Sequence, residues 1–359
     1  MTKSLVKSLL NSSGKSSQKG QMPVPVAPLV DTRYLSSLLG RSVRSLYGED
    51  FLWPGGRDNS DAQAKGVEKH RYDIALVGSQ NKYGRREVVE KGKEWILEDE
   101  YGGKLTAPKD ETPRLREPAL ATKDELDAKE IPNFNDGRLE HIDRTSKRLG
   151  DRAYLLGGIP EAPFSFSAYL RGPQKFLVDL KKDPGFVEDL LEFTSKASLK
   201  MVSALNKHPV DALWIGDGIA NGALIGPDDY REWALPGVNK LIKKAHQLDL
   251  PVFYHVCGKT DNLLCGIKDS GVDVFEVDAP DNSGMTLSEV HERTKGSDLV
   301  IKGNIDPLLV ADGTKEEVRE TAKDKLDQVG DSGRFILSTG CFLPEAPPKN
   351  IQAMVDAVK

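Results

Sequence analysis

We predict that this 359-residue chain is an α/β protein that folds as a (β/α)8 TIM barrel with an N-terminal extension and a lid-like insertion. Two observations favour this fold. From about residue 150 onward, short β-rich apolar runs alternate with longer helical segments, a pattern typical of βα units around a parallel sheet. Polar side chains then follow the carboxyl ends of these runs, and in a barrel those ends share one face. An open doubly wound sheet is the alternative that the same alternation allows.

The predicted strands are short apolar runs, each followed by a turn or a polar residue. They are Val24–Val30, Tyr72–Val77, Ala153–Gly157, Ala212–Gly216, Val252–Val256, Val272–Val277, Leu299–Gly303 and Phe335–Thr339. The predicted helices have the apolar spacing of amphipathic segments and lie near residues 187–207, 228–248, 259–270, 285–296, 314–329 and 348–358.

The remaining segments are assigned by composition. Residues 1–22 contain only interrupted apolar pairs, too few for a signal peptide, and are predicted to be a flexible tail. Residues 23–359 are predicted to form one barrel domain. Within it, residues 41–66 join a short helix to the first barrel unit. Residues 104–150 are rich in Lys, Asp, Glu and Pro without sustained periodicity, which indicates a loop or lid over the barrel mouth.

Composition excludes several classes of function. The chain has 50 basic and 55 acidic residues and a net charge of -5, so we expect no nucleic-acid partner. No apolar run approaches the roughly 20 residues that span a bilayer, so we expect no membrane insertion. The 3 cysteines do not resemble a secreted disulfide framework, and a reduced, cytoplasmic protein is predicted. Phosphate-binding glycine loops are also missing.

The most informative motif is a candidate metal site at two predicted strand ends. His255 and Cys257 are two residues apart, so on an extended strand end both side chains project to the same side. Cys341 follows another strand through a turn that glycine permits. Thiolates and imidazole together select zinc, and three protein ligands with an open position are typical of catalytic zinc. The alternative is that both cysteines are small buried apolar residues, which is how we interpret Cys265.

Two acidic residues are candidate catalytic groups. Glu161 follows a predicted strand between two prolines and is a candidate weak metal ligand; the alternative is an exposed loop glutamate. Asp217 lies at a strand end before a glycine, where it would orient a substrate or a metal-binding histidine; a surface turn is equally consistent with its sequence.

Three further polar residues follow later strands and are predicted to face the substrate or its partner. They are Asp278, Asn304 and Asp306, although Asp306 before a proline is also typical of a helix start. The histidines at 208 and 246 lie in a connection and a helix, so we interpret them as structural or exposed.

Six segments, in this order, resemble the uroporphyrinogen decarboxylase superfamily, and specifically its zinc- and corrinoid-dependent methyltransferase branch. They are GGIPEAPFSFSAYLRG, DALWIGDGIANGALIGPDDYREWALPGVNKLI, PVFYHVCGKTDNLL, GVDVFEVD, IKGNIDP and STGCFLPEAPPKNIQAM. The resemblance extends from about residue 150 to the end of the chain.

The resemblance implies both the ligands and the reaction. His255, Cys257 and Cys341 would bind Zn²⁺, and Glu161 would match the carboxylate ligand of the family. Such enzymes move a methyl group between a small substrate and the cobalt of a corrinoid (cobalamin) protein. Zinc would hold a thiol as its thiolate or polarise a methyl ether oxygen. This chain has no Asp-x-His-x-x-Gly motif for corrinoid binding, so a separate corrinoid-binding partner is expected.

The sequence departs from true decarboxylases of the superfamily. Their N-terminal signature is missing from residues 20–60, and Gly78 to Asn81 follow the strand where those enzymes carry a catalytic aspartate. Porphyrinogen decarboxylation is therefore disfavoured. A metal-independent decarboxylase and a non-catalytic subunit that binds or activates the corrinoid protein remain the alternatives.

For the substrate, we predict a methoxylated aromatic first and a thiol such as coenzyme M second. The long extension and lid favour a larger substrate, and several aromatic residues are candidates for pocket walls. These are Tyr83, Trp95, Phe164, Phe166 and Tyr169, each of which has a role in the core as its alternative.

Overall fold

The computed structural model describes residues 2–11, 23–30, 32–40, 57–78, 83–89, 94–108, 114–159, 161–329 and 333–358. Its strands are, in chain order, β1 (Ile74–Gly78), β2 (Tyr83–Val89), β3 (Glu94–Asp99), β4 (Lys104–Pro108), β5 (Arg114–Glu117), β6 (Tyr154–Ile159), β7 (Ala212–Gly216), β8 (Val252–His255), β9 (Val274–Glu276), β10 (Val300–Ile305) and β11 (Phe335–Thr339).

The helices begin at prolines or at capping residues in most cases, as helix starts often do. Their bounds are Thr2–Asn11, Thr32–Leu39, Arg57–His70, Lys123–Asp127, Glu140–Leu149, Pro163–Arg171, Pro173–Lys182, Pro184–Leu205, Pro227–Asp229, Leu235–His246, Leu264–Asp269, Pro280–Ser283, Leu287–Thr294, Pro307–Asp312, Lys315–Val329 and Pro348–Asp356, with a 3-10 turn at Gly150–Arg152 and a π-helical turn at Tyr230–Ala234.

The main sheet confirms the predicted fold class. Seven parallel strands are hydrogen-bonded in the order β1-β6-β7-β8-β9-β10-β11, so each strand pairs with the next one in the βα series. The predicted strands from residue 72 onward are present; β7 and β11 have the predicted bounds, and the others have shifted ends, with β6 extending to Ile159 and β9 shorter than predicted. Helices separate the strands along the chain, and this is the arrangement of a TIM-like barrel.

The predicted strand Val24–Val30 is not a regular strand. Within the described part of the chain, its backbone makes only two isolated parallel bridges, from Val26 to Leu337 in β11 and from Val30 to Leu343 beyond β11. A continuous strand is prevented because the prolines at 23, 25 and 28 have no N–H to donate. The N–H of Ala27 still donates to the carbonyl of Leu337 (2.8 Å), and the N–H of Asp73 donates to the carbonyl of Val26 (2.7 Å). This segment therefore lies between the first and last strands of the parallel sheet and closes the barrel.

The prediction of a flexible tail is wrong for residues 2–11, which form the helix Thr2–Asn11. Val6 is 0% exposed and Leu9 is 3% exposed, and both belong to the apolar cluster inside the barrel. The Nζ of Lys3 lies 3.0 Å from a carboxylate oxygen of Asp211, which precedes β7. Val6 and Leu9 lie three residues apart and therefore on one face of the helix. With this face the helix covers the amino ends of the strands. Residues 12–22 lie outside the described residues.

The insertion at residues 104–150 is more regular than the predicted loop. Strands β4 and β5 belong to a four-stranded antiparallel sheet, β2-β3-β4-β5, and the helix Glu140–Leu149 buries four residues. Tyr101, in the turn before β4, is 1% exposed and packs edge-on against Phe166 at 5.2 Å. The guanidinium of Arg138 donates two hydrogen bonds to Glu100 (2.7 and 2.8 Å). The Tyr101–Phe166 contact attaches the antiparallel sheet to the barrel helix Pro163–Arg171, and the Arg138–Glu100 pair joins two parts of the insertion. They were not predicted because the strands are polar and short.

The predicted N-terminal extension is described in part. Residues 57–66 belong to the helix Arg57–His70, which leads into β1, whereas residues 41–56 lie outside the described residues. None of the helices in the described part of the chain is long and apolar enough to cross a membrane.

His141 makes a testable contribution to stability. Its side chain is 4% exposed, and burial lowers the pKa of the imidazole to about 4. Because the folded-state pKa of His141 is below the unfolded value, the neutral imidazole contributes its full share of the free energy of unfolding above pH 6.5. This contribution is lost as the pH falls toward 4. We expect His141→Gln to flatten the pH dependence of the free energy of unfolding between pH 7 and 4 by about 3 kcal/mol. Urea denaturation at each pH measures this, and identical pH profiles for both proteins would contradict it.

Candidate metal centre

Three predicted ligands meet at the mouth of the barrel. The Sγ of Cys257 lies 3.1 Å from the Sγ of Cys341, and the Nε2 of His255 lies 3.8 Å from the same Cys341 sulfur. All three ligand atoms lie within 4.8 Å of one another. His255 is 3% exposed, whereas both cysteines are half-buried. The ligands are therefore anchored in the barrel with their sulfur side toward the mouth.

The strand ends explain how these residues meet. His255 ends β8, and Cys257 follows two residues later. Gly258 has a φ of 104°, which glycine adopts without strain, and its N–H donates to Asp278 (2.8 Å). Cys341 follows β11, which is separated from β8 by β9 and β10 in the sheet. The curvature of a barrel brings such strand ends together across the mouth.

Gly340 is required for close approach. A Cβ built on Gly340 would lie 2.1 Å from the backbone nitrogen of Ala279, far inside the contact distance. The N–H of Gly340 donates to the carbonyl of Ile305 (2.8 Å), which holds this part of the chain against its neighbours. The sequence predicted a turn that needs glycine for its backbone angles. The structure gives a different reason, because a side chain here would push Cys341 away from His255.

The protonation of the two thiols differs. Hydrogen bonding from the Cys257 thiol, helped by His255, lowers the pKa of Cys341 to about 4, and the same contact raises the pKa of Cys257. Burial disfavours charge on His255, but the hydrogen bond and charge of the Cys341 thiolate raise the pKa of the imidazole overall. The three side chains thus share protons through their hydrogen bonds, and a bound cation would replace these protons.

The donor set fits zinc. A tetrahedral zinc with usual bond lengths separates its sulfur and nitrogen ligands by about 3.6–3.8 Å. The distance of 3.8 Å between His255 and Cys341 agrees with this spacing, whereas the distance of 3.1 Å between the sulfurs is about 0.6 Å shorter, so the two sulfurs would have to move apart around a bound ion. The two sulfurs are also too far apart for a disulfide bond, which is about 2.05 Å long.

A charged pair that the sequence did not predict as part of the site lies beneath the ligands. The Nζ of Lys302 is 2.9 Å from Oε1 of Glu276, and both residues are 1% exposed. The other Glu276 oxygen accepts a hydrogen bond from Nε1 of Trp214 (3.0 Å) and lies 3.8 Å from Nδ1 of His255. The signal in the sequence was a Glu and a Lys inside otherwise apolar strands.

Asp217 lies beside the metal ligands but is completely buried. Ser165 and Tyr254 both donate to its carboxylate, the latter at 3.0 Å, and its N–H donates to the carbonyl of His255 (2.8 Å). Burial raises the pKa of Asp217 to about 6, although the two hydrogen bonds act in the opposite direction. Asp217 is therefore placed to hold the end of β7 next to His255.

Glu161 lies near the cysteines without joining their group. Burial, followed by the charge of Asp217, raises the pKa of the Glu161 carboxyl well above its usual range. The contact with Cys341 and burial are the main causes of the raised pKa of Cys257, and burial is the main cause of the raised pKa of Tyr169; Glu161 makes a smaller contribution to both. Among the described residues, however, the group within 4.8 Å contains only His255 and the two cysteines. Glu161 is therefore a half-buried carboxyl outside this group.

The other predicted polar residues form hydrogen bonds to backbone groups. Asp278 is 1% exposed and accepts hydrogen bonds from the N–H groups of Gly258 (2.8 Å) and Ala279 (2.6 Å). The amide of Asn304, which is 0% exposed, donates to the carbonyl of Asp278 (3.2 Å). Asp306 caps the helix Pro307–Asp312, as the alternative interpretation of its sequence held. Asp278 and Asn304 thus support the loops that carry the ligands.

The candidate aromatic walls are mainly core residues where they are described. Phe164 is 0% exposed and packs against Phe176, and Phe166 is 9% exposed beneath Tyr101. Tyr169 is half-buried near Glu161. The side chains at 83 and 95 lie outside the described part of the structure.

The remaining cysteine and histidines lie away from the site. Cys265 is exposed, so our interpretation of it as a buried residue is wrong; its helix, Leu264–Asp269, turns this position outward. The rings of His208 and His246 lie 2.6 and 2.8 Å from carboxylates of Asp143 and Asp273, which agrees with a structural role.

Comparison with known sequences relates the chain to both methyltransferases and decarboxylases. Methylcobamide:CoM methyltransferase MtbA of Methanosarcina acetivorans is 30% identical over 233 residues, which cover 63% of this chain and 65% of that protein. Methylated-thiol–coenzyme M methyltransferase of Methanosarcina mazei is 30% identical over 205 residues, covering 55% and 51%. A uroporphyrinogen decarboxylase of Geotalea uraniireducens is 26% identical over 227 residues, covering 61% and 64%. The chain thus spans about half to two thirds of the length of these relatives.

Comparison with solved structures supports the fold over nearly the whole chain. A methyltransferase from Methanosarcina mazei superimposes with a TM-score of 0.72 at 20% identity, covering 99% of this chain and 98% of that chain. At this identity the likeness shows the fold alone. The family described as uroporphyrinogen decarboxylase (URO-D) matches residues 95–359, which begins earlier than the resemblance in the motifs. Because this match covers well over half of the chain, the protein belongs to the uroporphyrinogen decarboxylase (URO-D) family.

Proposed function

We propose that this protein is a zinc-dependent methyltransferase that moves a methyl group between a small substrate and the cobalt of a corrinoid carried by a partner protein. The observation that carries the proposal is the group formed by His255, Cys257 and Cys341 at the barrel mouth, with all ligand atoms within 4.8 Å. Two thiols and an imidazole are the ligands of a zinc site that activates sulfur or oxygen substrates. Two of the relatives are named as methyltransferases acting on coenzyme M.

The roles of the residues follow from their positions. His255, Cys257 and Cys341 would hold zinc, and Glu161 is our candidate for an additional, exchangeable ligand. Bound zinc would supply Lewis acidity that holds a thiol as its thiolate or polarises an ether oxygen. Asp217, Asp278 and Asn304 position the backbone around the ligands through the hydrogen bonds described above.

In the thiol direction, the bonds change in a simple displacement. The substrate thiol would lose its proton to solvent, and its sulfur would then form a bond to the methyl carbon of the methylated corrinoid. The electron pair of the cobalt–carbon bond stays with cobalt. The open, half-buried side of Cys257 and Cys341 is the side from which both the substrate and the partner's corrinoid would approach.

We propose a different order of substrate classes from the one that the sequence predicts. Methoxylated aromatics were favoured partly because of candidate aromatic walls, but Phe164 and Phe166 are core residues. Two relatives are named for methyl transfer to coenzyme M. We therefore propose a thiol as the first substrate class and a methoxylated aromatic as the second.

A spectroscopic assay tests this proposal. Zinc-loaded protein is mixed with methylcobalamin and coenzyme M or other small thiols, and the loss of the methylcobalamin spectrum is followed. In the other direction, reduced cobalamin is offered with methoxyaromatics, methylamines and methylthiols. We expect thiol-dependent demethylation of methylcobalamin. Protein that contains zinc but changes neither spectrum would contradict a methyltransferase, and carbon dioxide released from uroporphyrinogen by metal-free protein would establish the decarboxylase alternative.

A further inference from the structure

We propose that Glu276, held by Lys302, is a positioning residue that sets the ring orientation and tautomer of His255 so that Nε2 faces the two cysteines. This inference rests on the proposed metal site, because it concerns how His255 is presented to a cation. It assigns a role to a buried ion pair that lies below the ligands and not among them.

The strand register places the three residues side by side. His255 of β8 pairs with Glu276 of β9, and Glu276 pairs with Lys302 of β10. In a parallel barrel, residues paired in this way form one layer of side chains in the interior. Their exposed fractions are 3%, 1% and 1%, so water does not compete for these contacts. The layer lies one step inside the barrel from Cys257.

The ring nitrogen of His255 that faces away from the cysteines lacks a hydrogen-bond partner among the described residues. Glu276 Oε2 is 3.8 Å from this Nδ1, which is about 1 Å longer than a hydrogen bond. Metal-binding histidines usually donate their other N–H to a carboxylate or carbonyl, which fixes the tautomer. A small movement of the imidazole as Nε2 engages a cation would form this bond.

Trp214 limits the movement to that direction. Its indole stacks on the imidazole of His255 with ring centres 6.2 Å apart and an interplanar angle of 19°. Its Nε1 donates to the same Glu276 oxygen at 3.0 Å. Gly216 provides the room for the indole, because a Cβ there would lie 2.7 Å from the Trp214 ring. The indole and the imidazole thus lie nearly parallel and both face the same Glu276 oxygen.

Lys302 has the complementary role. A carboxylate with no opposing charge is costly to bury, by several kcal/mol after relaxation of the protein. The ammonium of Lys302 lies 2.9 Å from Oε1 of Glu276, on the oxygen that does not face His255. The pair therefore leaves Oε2 as an acceptor aimed at Trp214 and His255. A glutamine could not satisfy both sides, because its amide N–H₂ would face either the ammonium or the two donors.

Zinc affinity and histidine spectroscopy test the inference without using activity. Zinc binding of the wild type is first measured by competition with a chelator. Glu276→Gln and the double variant Glu276→Leu/Lys302→Met, which has no acceptor for His255 at position 276, are then compared with it, and Lys325→Met, at another mostly buried lysine, is the matched control. We expect zinc affinity to fall about 10–100-fold in both Glu276 variants and to stay unchanged in the control. The double variant separates positioning from folding, since replacing both charges leaves no unpaired buried ion.

The outcomes distinguish the two proposals. A wild type that binds no zinc at these ligands would refute the metal site itself. A wild type that binds zinc, together with a double variant that binds it within about twofold, would overturn only the role of Glu276. If the variants do not fold, ¹⁵N NMR of the zinc-loaded wild type decides: a proton on Nδ1 of His255 with Nε2 on the metal is expected, and the reverse tautomer would overturn the inference.

Discussion

Replacing Cys341 with serine is expected to remove stoichiometric zinc and to lower methyl transfer by at least about 100-fold. Cys341 is central to the group, because it lies 3.1 Å from the sulfur of Cys257 and 3.8 Å from the imidazole of His255. A serine hydroxyl does not ionise at neutral pH and binds zinc poorly. Metal analysis of purified protein and the methylcobalamin assay measure both effects.

The matched control for this variant is Cys265→Ser. Cys265 is exposed in the helix Leu264–Asp269, away from the ligands, so zinc content and activity should match the wild type. The control also removes one thiol, which corrects for nonspecific zinc binding by free cysteine. A Cys341→Ser protein that kept its activity without zinc would instead support a metal-independent reaction.

Replacing Gly340 with alanine is expected to destabilise the protein by about 3 kcal/mol or more and to lower zinc affinity together with stability. The added Cβ would lie 2.1 Å from the Ala279 nitrogen and 2.7 Å from the carbonyl carbon of Asp278. Both atoms are backbone, so no flexible side chain can move aside. The chain must separate there, which moves Cys341 from His255 and weakens the support that Asp278 gives to the neighbouring loop. Urea denaturation and chelator competition measure the two losses.

Gly185→Ala is the control for the same chemical change. Gly185 lies in the first turn of the helix Pro184–Leu205, and a Cβ there meets nothing within 4 Å. Alanine at such a position should raise stability by about 0.4–1 kcal/mol, because it restricts the unfolded chain. Equal effects of the two substitutions would show that the close approach at Gly340 does not constrain the site.

Local patterns were sufficient to predict the barrel and to single out the three residues that meet at its mouth. Buried parallel strands are continuous apolar runs, so they are visible without knowledge of their neighbours, as for Ala212–Gly216 and Phe335–Thr339, whose bounds agree in prediction and structure. His255, Cys257 and Cys341 were also recognisable, because each follows such a run and thiols with imidazole form a distinctive donor set. The face to which they belong follows from the rule that strand ends of a barrel meet at its mouth.

The pairing of distant segments needed the three-dimensional arrangement. The sequence of residues 2–11 predicts a polar tail. That this segment is a helix covering the amino end of the barrel is seen only in the structure, where Val6 and Leu9 are buried. Glu276 and Lys302 are isolated charges in apolar strands until strand register places them beside His255. Gly340 is one of 33 glycines, and its requirement comes from the nearby backbone of Ala279. Each of these features depends on contacts between residues far apart in the chain, which local propensity and spacing do not encode.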